Sequence, residues 1–176
     1  MAIDVMSQLL INKPKAEVAS YALDPHNDPL WVSGIVESEM LTDPPLAQGS
    51  QVERVASFLG KRIQYILEVV DWEPGSRMGM HSIKGPFSMG VTHEFEEAPS
   101  EMGELGTLAR IRGKGEASGL FKLASPLLAQ TVKKSIGKDC KSLKEIMDAR
   151  SPGSVTWLPV SKSRDFIQGR GKSCHY

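Results

Sequence analysis

His93 sits in the run Phe87-Ser-Met-Gly-Val-Thr-His-Glu-Phe95, where every second residue is apolar, so an imidazole falls on the apolar side of a strand. An imidazole in that setting can donate a hydrogen bond to a ligand, or serve as acid or base near neutral pH. Tyr65 occupies the same kind of position among Ile63, Leu67 and Val69, and its phenol could orient a carbonyl. Met78, Met80 and Met89 would add an adaptable, polarizable wall suited to flat or greasy molecules. A lone histidine or buried phenol is more commonly a structural member of a core, bonded to a protein neighbour. Catalysis by His93, ligand contact and a purely structural role therefore all stay open.

Other chemistries fail on spacing. His93-Glu-Phe-Glu-Glu97 is not the His-Glu-x-x-His of a zinc protease, and neither His81 nor His93 has cysteines or carboxylates at ligand spacing, so no metal and no cofactor is expected. Arg112-Gly-Lys-Gly-Glu-Ala-Ser-Gly119 is glycine-rich but lacks the order that cradles phosphates. Ser125 precedes Pro126 without a glycine elbow, which marks a helix cap rather than a nucleophile.

The chain has 176 residues, 40% hydrophobic and 24% charged, a mixture that builds one packed domain and excludes a disordered chain. Lys plus Arg and Asp plus Glu both number 21, so no global field draws it to nucleic acid. Residues 151–176 carry Lys162, Arg164, Arg170 and Lys172 against Asp165, net +3, a basic tail behind a mildly acidic body at 1–150. That tail is expected to be flexible or docked on the body, and is a candidate contact for an acidic protein partner. Cys140 and Cys174 make no disulfide framework. With no run of 18 apolar residues and no basic-then-apolar N-terminus, neither integral membrane association nor secretion is expected, and a cytoplasmic location is.

The elements that must position the chemistry follow from periodicity. Residues 3–11 alternate as a strand ending at Asn12-Lys13-Pro14, a short helix runs from Pro14 to Leu23, and Asp28 to Trp31 forms a second helical turn with Trp31 as an apolar plug. Six further strands are expected at 35–41, 51–59, 62–73, 77–83, 87–97 and 106–116, joined by connections short enough for antiparallel hairpins. Apolar residues from Leu127 to Met147 then recur at helical steps, giving a main helix over 126–149 capped by Ser125. Lys133, Lys134, Lys138, Lys141 and Lys144 fall on its far face, read as solvated. Strand parity puts Tyr65, Leu67, Met78, Met80, Phe87, Met89, Val91, His93 and Phe95 toward that helix, and a bulge within Asp71–Pro74 would reverse the parity beyond it.

Several stretches resemble one family in order: Ile11-Asn-Lys-Pro14 with Glu17-Val18 and Asp24-Pro25 through Trp31; Glu68-Val-Val-Asp-Trp-Glu-Pro-Gly-Ser-Arg77; Gly85-Pro-Phe87 leading to Val91-Thr-His-Glu-Phe-Glu96; and Leu143-Lys144. Together they resemble the polyketide cyclase/dehydrase and lipid-transport superfamily, the START-like, birch-pollen-allergen-like proteins. The resemblance implies an α+β helix-grip fold, in which a seven-stranded antiparallel sheet curves around a long C-terminal helix and leaves a cavity between them for an apolar molecule. Leu128, Val132 and Ile136 would then line the helix side of that cavity. Because such a fold serves many functions, the expectation is a carrier or sensor of a hydrophobic lipid, polyketide or aromatic molecule. The alternatives are a cyclase- or dehydratase-like enzyme and a protein-interaction or co-chaperone-like domain.

Overall fold

The computed structural model describes residues 2–58, 60–86, 88–100, 103–116 and 125–150. Strand β1 (Ala2–Ile11) leads into helix α1 (Lys15–Ala22), a 3-10 turn (Pro25–Asn27) and helix α2 (Asp28–Trp31). Six strands follow, β2 (Ile35–Met40), β3 (Gln51–Phe58), β4 (Lys61–Glu73), β5 (Arg77–Lys84), β6 (Met89–Pro99) and β7 (Leu105–Glu116), before helix α3 (Ser125–Ala149). All strand pairs are antiparallel and the sheet order is β1-β7-β6-β5-β4-β3-β2. This is the helix-grip α+β architecture expected from the sequence. Residues 117–124, Phe87 and the basic tail at 151–176 lie outside the described residues.

Helix α3 spans 25 residues, about 37 Å at 1.5 Å per residue, and lies along β1 and β7. Its close approach depends on Gly113, where an added Cβ would sit 2.9 Å from Ile136 Cδ1. Ile136, Cys140, Leu143 and Met147 enter a core with Ile11, Ala109, Ile111 and Phe95. The opposite, convex face of the sheet is charged, with Arg112 Nε and Nη2 donating to the two Asp4 carboxylate oxygens at 2.7 and 2.6 Å. Lys133, Lys134, Lys138 and Lys141 are exposed, as expected. Lys144 departs from that reading: it is half-buried, donates to Leu10 O at 3.1 Å and pairs with Asp148 at 3.0 Å, so it ties α3 to β1.

The parity reversal in β4 comes one residue before the expected segment. Val69 pairs with Met80 but Asp71 pairs with Gly79, which leaves Val70 as the extra residue, turned outward and 48% exposed. Beyond it Trp72 rather than Asp71 packs against the core, and Asp71 reaches Arg77 at 2.7 Å outside.

Candidate functional site

Alternation in β3 puts Val52, Arg54 and Ala56 on the concave face, so a guanidinium is carried into the interior between two small apolar residues. Arg54 lies opposite Tyr65 in the β3–β4 ladder. Above it, the single turn of α2 presents Asp28 and Trp31, three residues apart and therefore on one side. Asp28, Trp31, Arg54 and His93 are 1%, 2%, 3% and 2% exposed, and Tyr65 is buried beside them. Gly85 permits that density: its φ is +143°, and an added Cβ would stand 2.7 Å from Tyr65 Cβ.

The polar contacts in this cluster are lopsided. Arg54 Nε donates to Asp28 Oδ2 at 2.8 Å, Ser38 Oγ donates to the same oxygen at 2.8 Å, and Arg54 Nη2 approaches it at 2.7 Å. Asp28 Oδ1 has no hydrogen-bond partner in the structure, and neither do Trp31 Nε1 and His93 Nδ1, whereas Arg54 Nη2 is taken up by its ion pair with Asp28 Oδ2. The Trp31 and His93 rings meet at a centroid distance of 5.4 Å, tilted by 57°. Three buried polar atoms of this cluster thus lack partners, whereas most buried polar groups in folded proteins are paired.

Electrostatics follow from burial. His93 is pushed down to about 3 by desolvation of the imidazolium, with the Arg54 charge acting in the same direction, so the ring is neutral at physiological pH. Burial pushes the Asp28 carboxyl up, opposed by Arg54 and by the Ser38 hydrogen bond. Because arginine keeps its proton, a neutral Asp28 would strand a buried guanidinium, and the two stand as an ion pair of zero net charge. The Tyr65 hydroxyl is raised by burial, with Arg54 opposing. On α3, Asp139 accepts the Ser33 N–H at 2.7 Å and is raised by burial, tying the segment after α2 to the long helix. Burial also raises Cys140 to about 11, an inert thiol in the core.

Among the residues expected to line the site, Tyr65, Leu67, Met78, Met80, His93, Phe95 and Ile136 are buried in the cluster between sheet and helix. Met89, Val91 and Val132 face the same way but remain half-buried. Phe87 and the side chain of Leu128 lie outside the described residues. Residue reading missed Asp28 and Arg54, and took Trp31 only as a plug. The signal for Arg54 was present in the alternation Val52, Arg54, Ala56, which places the arginine on the apolar side. Two open surface grooves, of about 440 and 380 Å³, lie elsewhere: one joins Pro29 and Val55 to Glu37, Glu39 and Glu53, and the other is lined mainly by charged side chains such as Lys15, Glu73, Arg77 and Glu97.

No family model and no curated protein matches the chain. Solved structures do. An aromatase/cyclase (Zhui) from a Streptomyces species superposes with a TM-score of 0.69 at 14% identity over 88% of this chain and 100% of that one. A START superfamily protein from Mycobacterium smegmatis gives 0.66 at 14% identity, covering 82% and 97% of the two chains. A protein from Thermus thermophilus gives 0.69 at 20% identity, covering 84% and 99%. The chain therefore has the START-like helix-grip fold, and among the described residues no helix is long and apolar enough to cross a membrane.

Proposed function

We propose that the protein holds a hydrophobic small molecule of lipid, polyketide or aromatic type between the sheet and α3, as a carrier or sensor. The observation that carries this reading is a gradient along the concave face. Phe95, Ile111, Leu143 and Met147 are sealed toward one end, while at the other Met89 and Val91, which face the helix, and Val132, which faces the sheet, keep accessible apolar surface. Apolar surface directed inward but left unfilled is what an apolar guest would cover, at roughly 25 cal/mol per Å².

An enzymatic reading draws less support. The charge acting on His93 is that of Arg54, and no carboxylate holds its Nδ1, so a base activated in the manner of a relay is lacking among the described residues. His93 in this account is a neutral contact for the guest. Native mass spectrometry of protein purified without detergent, followed by denaturing extraction, tests the reading. A stoichiometric apolar adduct is the expected result. Failure to find one, together with failure to take up any member of a lipid and aromatic panel, would overturn it.

A further inference from the structure

We infer that the buried cluster of Asp28, Trp31, Arg54 and His93 is the polar end of this site, and that it selects a guest ending in an un-ionised hydroxyl, an alcohol or phenol. The inference rests on the apolar-guest reading above and adds the chemistry of the guest's polar end.

The selection follows from which atoms lack partners. Asp28 Oδ1 is an acceptor without a donor, whereas Trp31 Nε1 is a donor without an acceptor; Arg54 is already engaged with the other oxygen of Asp28. A hydroxyl supplies one donor and two lone pairs, so a single oxygen can donate to Asp28 Oδ1 and accept from the Trp31 N–H. Neutral His93 offers Nδ1 as a further contact, with its ring held against Trp31. A carboxylate has only acceptors and would meet Asp28 with like charge. An ammonium has only donors and would meet Arg54 in the same way. Because Asp28 and Arg54 already cancel, neither ion gains a net counter-charge, and each would lose its hydration on burial. An end with no polar atom would leave Asp28 Oδ1, Trp31 Nε1 and His93 Nδ1 as they are.

A bound water has the same donor and acceptor inventory, so the test must separate a hydroxyl carried by the guest from a resident water. The probes are 2-methylnaphthalene, 2-naphthol and 2-naphthoate at pH 7, matched in ring and differing at one substituent, titrated by intrinsic fluorescence or calorimetry. In the wild-type protein 2-naphthol is expected to bind about tenfold more tightly than 2-methylnaphthalene, and 2-naphthoate more weakly than either. Trp31→Phe removes the N–H and keeps an aromatic body, and Arg54→Met removes the guanidinium that holds the Asp28 carboxylate in place. In both variants, checked for near-UV circular dichroism, the naphthol preference is expected to fall to within about threefold while 2-methylnaphthalene binding persists. Equal wild-type affinities for 2-naphthol and 2-methylnaphthalene would overturn the inference, assign the cluster to a resident water and leave the apolar-guest reading standing. Tightest binding of 2-naphthoate would overturn the charge argument. Binding of none of the three would count against both readings.

Discussion

The two ends of the concave face are built from the same strands yet filled differently. Toward the C-terminal half of α3, Leu143 and Met147 close on Phe95, Ala109 and Ile11, all at 0–1% exposure. Toward its N-terminal half, Val132 and Ile136 stand over Gly113, and Met89 and Val91 are only half-buried. Small residues on β7 let the helix come close there without supplying side chains to fill the space. The difference is one of packing: one end is sealed and holds the fold, and the other leaves inward-facing apolar surface accessible. Between them sits the ion pair of Asp28 and Arg54 with His93 and Trp31.

The middle region gives the largest expected effect. His93 titrates at about 3 in the folded protein against 6.5 when unfolded, so the unfolded chain binds more protons between those values. Its contribution to stability is complete above pH 6.5 and is lost as pH falls toward 3, at about 1.4 kcal/mol per unit and about 5 kcal/mol in all. Asp28 and Asp139, both raised, hold protons more tightly when folded and act in the opposite sense on acidification. Subtracting urea-unfolding free energies of a His93→Leu variant across pH 3–7 isolates the histidine. A flat difference would mean that His93 is not buried as a neutral ring.

Contrasting truncations sharpen the comparison of the ends. Phe95→Ala is expected to cost about 4 kcal/mol, and Met89→Ala about 1 kcal/mol because its surroundings are already open. Equal losses in chemical denaturation would erase the distinction between a sealed and an open end. For the ion pair, Arg54→Met should cost about 3 kcal/mol by leaving Asp28 buried without its counter-charge, and adding Asp28→Leu should restore most of it. If the second substitution adds to the loss instead, the pair itself stabilises the fold. The smallest effect is Val132→Trp, which fills the open end from an accessible helix position: about tenfold weaker binding of 2-methylnaphthalene with stability changed by less than about 1 kcal/mol.

Much of this was legible in the residues. Alternation at Ile63, Tyr65, Leu67 and Val69, and again at Met89, Val91, His93 and Phe95, identified the concave face because a strand repeats every two residues. The bulge at Val70 was harder to place, since an extra residue in β4 can be accommodated at several neighbouring positions and the pairing with β5 decides among them. Arg54 was overlooked although its parity was readable, because an arginine in a strand is ordinarily solvated. Its burial depends on Asp28, which lies 26 residues earlier and is brought over it by α2. How far α3 closes at each end depends on packing in three dimensions, and no local pattern specifies that.

The most direct test of the account uses the methionines placed along the gradient. In protein labelled with 13C at the methionine methyls, 2-methylnaphthalene is added to saturation and the methyl resonances are followed. Met89 at the open end is expected to shift strongly and Met147 at the sealed end to stay in place. Shifts confined to exposed Met6, or equal shifts at Met89 and Met147, would contradict a guest site between the sheet and α3.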